Sequence, residues 1–136
     1  MMETQDASLA EAGMRDWRVR RIDIRSPVLK DAHPVARLEL EHPVRGRVTD
    51  IGTAPGAFDA AFVAAGRIVG VSPLLLSYNV RSGAPVAGEA LPIQIDVEIE
   101  LNGEHHSGTS SGVDLVRCSV EAWLDAIAKS GERSGA

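Results

Sequence analysis

Gly52-Thr53-Ala54-Pro55-Gly56 and Gly108-Thr109-Ser110-Ser111-Gly112 state the same phrase, Gly-Thr-x-x-Gly, 56 residues apart. Chance supplies one such phrase easily. Two, each read as ending a strand and opening a helix, predict an internal duplication. The order of periodicities on either side supports it: strand, strand, strand, helix, and then the same again. The expected fold is α+β, an internally duplicated βββα–βββα domain, with repeats at about 17–72 and 73–129.

The individual elements follow from local pattern. Trp17–Ser26 reads as a strand whose alternation slips near Arg20–Arg21, because Trp17 and Val19 share one parity and Ile22 and Ile24 the other; this predicts a bulge. Ala36–His42 alternates cleanly, with Ala36, Leu38 and Leu40 on one face and Arg37, Glu39 and Glu41 on the other. Gly46–Gly52 is a weaker third strand. Ala57–Val69 places Phe58, Ala61, Phe62, Ala65 and Val69 on one helical stripe. Leu74–Ser82 is Leu-rich and is expected to be a central strand. Leu91–Leu101 alternates throughout and runs into Asn102-Gly103, a pair suited to the left-handed dihedrals of a type I′ turn. A two-residue turn there pairs Leu101 with Glu104 and Glu100 with His105. A final helix is expected from Val113 to Lys129, opened by an approximate capping box between Ser111 and Asp114. Residues 1–14 are expected to be a flexible arm, 15–129 the folded domain, and 130–136 a frayed tail.

The 136 residues suit one domain. A formal net charge of −5 argues against nucleic acid or an anionic membrane as a partner. Arg15, Arg18, Arg20, Arg21 and Arg25 crowd one segment and are read as the solvated face of a strand. Cys118 is the only cysteine, so an intrachain disulfide and a thiolate zinc cluster are both ruled out. The opening residues contain no apolar run, and no stretch of eighteen apolar residues occurs, so a cytoplasmic protein is expected.

The repeated glycines admit two readings. A strand passing through glycines into a helix can present unpaired N–H groups to a carboxylate or phosphate. The same glycines can simply permit a tight connection. A phosphate loop is disfavoured because no Lys-Ser/Thr follows the glycines. His105 and His106 are adjacent, point to opposite faces of a strand and are expected to be solvated or to serve the hairpin. Tyr78 in an apolar strand and Cys118 in a helix read as core. Asp59 and Asp114 sit where the helix dipole favours carboxylates. No nucleophile–base order or acid–base pair stands out, so the chain is not expected to be an enzyme, and no cofactor or metal is expected.

Three segments resemble the C-terminal allosteric domain of the 2-isopropylmalate synthase and citramalate synthase family, over about residues 17–129. Gly56-Ala57-Phe58-Asp59-Ala60-Ala61-Phe62 is similar to that domain's Gly-Pro-Val-Asp-Ala helix opening. Leu76-Ser77-Tyr78-Asn79-Val80 resembles its Leu-x-Tyr-x-Val strand. Gly108 to Val116, followed by Ser119 and Ala122-Trp123-Leu124, is similar to its Gly-x-Gly…Asp-Ile-Val…Ser…Ala-Tyr-Leu ending. The resemblance implies a homodimer that binds leucine or another branched-chain amino acid near its interface and modulates a separate catalytic synthase subunit. Residues at matching positions are Gly56, Phe58 and Asp59; Leu75, Tyr78 and Ser82; Ala87; and Ser111, Gly112 and Val113. Phe58 stands where the family carries a smaller residue, and its ring would take room from a ligand. The competing expectation is a dimerisation or assembly module that binds no ligand.

Overall fold

A computed structural model describes residues 16–28, 32–82, 88 and 92–134. β1 (Arg18–Arg25), β2 (Val35–His42) and β3 (Gly46–Thr53) form one antiparallel sheet in that order, followed by α1 (Ala57–Val69). β4 (Leu74–Ser82), β5 (Ile93–Leu101) and β6 (Glu104–Gly112) form a second antiparallel sheet, followed by α2 (Leu115–Ser134). The expected βββα–βββα order is the one observed. α1 lies across β2 and β3, α2 lies across β5 and β6, and the two helices touch each other.

Alternation decides which side of each sheet meets a helix. Ala36, Leu38 and Leu40 of β2 and Ile95, Val97 and Ile99 of β5 are all buried, while their neighbours face outward. On α1, Ala61, Phe62, Ala65 and Val69 are buried as their spacing predicts, and Ala60, Ala64 and Ile68 widen the stripe. α1 ends where Gly70 adopts φ 90° and donates its N–H to Gly66 O at 2.7 Å. Asn102 and Gly103 have φ of 54° and 80°, and Leu101 faces Glu104 while Glu100 faces His105, as the hairpin reading requires.

The duplication extends to irregularities. β1 slips register between Val19 and Arg21, and β4 slips between Leu75 and Ser77, 56 residues later. The row Ile22–Leu38–Asp50 in the first sheet therefore corresponds to Tyr78–Val97–Gly108 in the second. The repeated glycines are alike in task but not in row. A Cβ on Gly52 would overlap Ala60 O and Ala64 N, and a Cβ on Gly108 would overlap Ala122 O and Ala126 N. Gly108 sits one residue pair earlier in its strand, about 6.6 Å, and because helix and strand run in opposite directions its helix contact lies one turn later, about 6 Å. Allowing for that step, Ala57 of α1 corresponds to Leu115 of α2, so the helices are equivalently placed.

Several expectations need correction. β4 is an edge strand, not a central one: among the described residues it pairs only with β5, and Leu74, Leu76 and Val80 are 59%, 40% and 47% exposed. Its leucines read as core because composition does not reveal how many neighbours a strand has. The second glycine phrase lies wholly within β6 rather than in a loop. Its glycines serve close approach to α2, and the helix begins only at Leu115. The Ser111–Asp114 capping box is not formed. Asp114 is itself the cap, its Oδ1 accepting from Arg117 N at 3.1 Å. His106 is not solvated: it is buried opposite Ile99, with Nε2 3.7 Å from Glu104 Oε2. α2 does not stop at Lys129 but continues to Ser134, with the hydroxyl of buried Ser130 donating to Ile127 O at 2.7 Å. The arm and Leu91 lie outside the described residues.

Candidate functional site

Side chains at the opening of α1 reach across to β4 of the other half. Phe58, in the first turn of α1, stacks on Tyr78 of β4 with ring centroids 5.8 Å apart at 28°. Phe62, one turn on, meets the same ring edge-on at 6.3 Å and stacks on Trp123 of α2 at 6.5 Å. Tyr78 is thus held by aromatic contacts from α1, and its hydroxyl reaches across to α2, 2.6 Å from Ser119 Oγ. Ser119 Oγ donates its one proton to Leu115 O at 2.7 Å, so the Tyr78 hydroxyl is the donor and the serine oxygen the acceptor. The need for a partner at a half-buried phenol explains why a polar Ser119 sits fully buried in the middle of an apolar helix face.

Polar groups surround these rings. The N-cap of α1 is Gly56, which supplies no side-chain hydrogen bond to the first turn. The free N–H groups of that turn, reinforced by the helix dipole, suit a carboxylate. Asp59 lies in the same turn, and a Cβ on Gly56 would come within 3.1 Å of its Oδ2. Asp59 and Leu75 also line a cleft of about 480 Å³ that runs along α1 past Phe62 and Arg67 to Trp123. In α2 the equivalent position is already occupied by the Asp114 carboxylate.

Gly56, Phe58, Asp59, Leu75 and Tyr78 therefore gather at one junction. Ser82 does not join them. It is exposed four residues beyond Tyr78, about 13 Å along the strand. Ser82, Ile93 and Gly112 share a row across the second sheet, and Ser111 is exposed next to Gly112. Val113 is 66% exposed. Ala87 lies outside the described residues. Phe62, Ser119 and Trp123 also belong to the junction; the sequence puts Phe62 on the α1 stripe and Ser119 and Trp123 in the segment that resembles the family's ending, with a site role for none of them. The signal that could have found Ser119 is a serine in the buried face of a helix. Among the described residues no three His, Cys, Asp or Glu side chains are placed to hold a metal, and no helix is long and apolar enough to cross a membrane.

Fold and junction together define a duplicated α+β domain of two βββα halves, with helices and aromatic rings at their meeting point. The chain matches the family model of the LeuA allosteric (dimerisation) domain over residues 5–130 and belongs to that family. It is 34% identical over 93 residues to the 2-isopropylmalate synthase of Stenotrophomonas maltophilia (strain K279a), a match covering 66% of this chain and 17% of that protein. The 2-isopropylmalate synthases of Xanthomonas axonopodis pv. citri (strain 306) and Xanthomonas campestris pv. campestris (strain B100) are similar with the same identity and coverage. The matched segment thus spans only 17% of the length of these relatives.

Proposed function

We propose that this chain is an amino-acid-responsive regulatory domain that binds leucine or another branched-chain amino acid at the α1–β4 junction. In this reading it modulates a 2-isopropylmalate synthase-type, acyl-CoA-dependent catalytic unit carried by a separate subunit. The observation that carries the reading is the uncapped start of α1 beside the stacked rings of Phe58 and Tyr78. An α-amino acid would place its carboxylate on the free N–H groups of that turn, its ammonium near Asp59, and its aliphatic side chain against Phe58, Leu75 and Tyr78. That is the usual pattern of an apolar pocket with a few placed polar groups. Ser82, Ala87, Ser111, Gly112 and Val113 enter this proposal only as the more distant rim, or as groups contributed by a second copy.

The same family membership supports a homodimer. Among the described residues β4 has one backbone edge unpaired, and it exposes Leu74, Leu76 and Val80, an arrangement that favours strand pairing or sheet contact with a second copy. A second reading, an assembly module without a ligand, draws on the contact of Phe58 with Tyr78, because those rings occupy space that an aliphatic side chain would use.

Thermal unfolding in the presence of single amino acids separates the two readings. Under the regulatory reading, leucine, isoleucine or valine at 100 times Kd stabilises the chain by about 2.7 kcal/mol. Aspartate and lysine leave it unchanged. If no aliphatic amino acid shifts the transition at millimolar concentration, the assembly reading replaces the regulatory one.

A further inference from the structure

The pseudo-twofold places a second crevice opposite the α1–β4 junction, between β1 and the first turn of α2. Corresponding positions have diverged in size and in charge. Where the first junction has Phe58, Asp59 and Tyr78, the second has Val116, Arg117 and Ile22. Rings are replaced by smaller aliphatic groups, and a carboxylate by a guanidinium. The result is a cleft of about 300 Å³ with Ile22, Ile24 and Val116 in its wall and Arg20, Arg21 and Arg117 around it. We propose that this crevice, built by replacing Phe58, Asp59 and Tyr78 with Val116, Arg117 and Ile22, binds a small aliphatic carboxylate.

The arginines are held but not consumed. Arg117 Nη2 donates to Val19 O at 2.8 Å, at the bulge, and this anchors the guanidinium at the mouth of the crevice. The ion pairs of the three arginines are made through Nε: Arg20 to Glu41 at 3.5 Å, Arg21 to Asp23 at 3.2 Å and Arg117 to Glu121 at 3.9 Å. All three are solvent-exposed contacts of the kind that contribute little and compete weakly with a ligand. Among the described residues Asp114 is the one carboxylate lining the cleft, and its Oδ1 accepts the α2 cap bond from Arg117 N. Planar guanidinium forks match a carboxylate, and the aliphatic wall matches a short hydrocarbon tail. The volume is at the lower end of the range for small-molecule sites and suits a short-chain guest. The bulge breaks the alternation of β1, so that Arg20 and Arg21 lie side by side opposite Glu39, on the solvent side of the sheet at the edge of the cleft that both line. The arginine-rich stretch, which reads as a solvated strand face in sequence, acquires a use here.

The test is a titration of the intact chain with 3-methylbutanoate, followed by NMR, alongside its uncharged analogue 3-methyl-1-butanol and inorganic phosphate. The acid should perturb Ile22, Ile24 and Val116 saturably and bind at least tenfold more tightly than the alcohol or phosphate. The exposed double variant Arg20→Gln/Arg21→Gln should keep its melting temperature and weaken the acid at least tenfold. Val116→Phe, which installs the ring of the other half, should abolish binding. A leucine response at Phe58 and Tyr78 should persist in the arginine variant, so this site and the proposed amino-acid site can fail independently. Absence of any shift at Ile22, Ile24 and Val116 at millimolar acid overturns the proposal. So does equal binding of phosphate or the alcohol, or unchanged binding in the arginine double variant.

Discussion

Replacing Gly108 with alanine should destabilise this protein although alanine is the better residue almost anywhere else in a chain. A Gly→Ala change at a compatible backbone position stabilises by about 0.4–1 kcal/mol, because the unfolded chain has fewer conformations to lose. Gly108 has no left-handed φ to protect, so that gain applies in full. Against it stands the space. The new methyl would overlap Ala122 O and Ala126 N and lie 2.9 Å from Ala126 Cβ. Two of those three atoms are backbone and cannot rotate away, so β6 and α2 must separate. Overpacking of this kind costs about 1–3 kcal/mol, and with rigid backbone on both sides the upper part of that range applies. The net loss is about 1–2 kcal/mol. For a chain of this length, that lowers the melting temperature by roughly 3–7 °C. Thermal and urea unfolding at one fixed protein concentration measure it, with exposed Ser107→Ala in the same strand as a control expected within about 0.5 kcal/mol of the native chain. Gly52→Ala should behave as Gly108→Ala does, since Ala60 and Ala64 confront it in the same way. A Gly108→Ala protein as stable as the native one, or more stable, would refute the close-approach account of the repeated phrase.

Tyr78→Phe removes the donor to Ser119 and should cost about 0.5–1.5 kcal/mol; combined with Ser119→Ala it should cost less than the sum of the two single changes in chemical denaturation. Asp114→Ala removes the α2 cap and should cost about 1 kcal/mol by the same assay. Asp96 accepts hydrogen bonds from Gln94 and Arg81 and pairs with the Arg81 guanidinium, which together hold its carboxyl below the ordinary value of 3.8. Its contribution to stability is therefore present above the unfolded aspartate value and is lost as pH falls through the lower folded one. NMR titration should show a midpoint under 3.8 that rises in Gln94→Leu and Arg81→Gln. Leu76→Lys with Val80→Lys should shift a dimer toward monomer in sedimentation velocity if β4 forms the interface.

What could be read from sequence followed what is local. The limits of α1, the bulge at Val19/Arg21 and the Asn102-Gly103 hairpin register depend on spacing and dihedral preference over a few residues, and all three match the structure. What was misread depends on partners distant in sequence. Leu74–Ser82 has the composition of a central strand, but its neighbour count is set by the whole sheet. His106 resembles His105 in sequence and differs only in which face of β6 meets α2. Gly108 reads as a loop glycine because nothing nearby reveals that Ala122 and Ala126 will press against it. At the candidate site, Phe58, Asp59, Leu75 and Tyr78 follow from family resemblance as site positions, whereas Ser119 and Trp123 belong to the segment that resembles the family's ending and gain their place at the junction only from packing. The step of one residue pair between Gly52 and Gly108 likewise needs both sheets to be seen together.

The most direct test of the regulatory reading is an NMR titration of the intact chain with leucine, following the residues around the Phe58–Tyr78 stack. Saturable perturbations centred on Phe58, Asp59, Leu75 and Tyr78, weakened by Tyr78→Ala and by Gly56→Val, are the expected result. Perturbations confined to surfaces away from α1 and β4, or none at millimolar leucine, isoleucine and valine, would contradict the assignment of this junction as an amino-acid site.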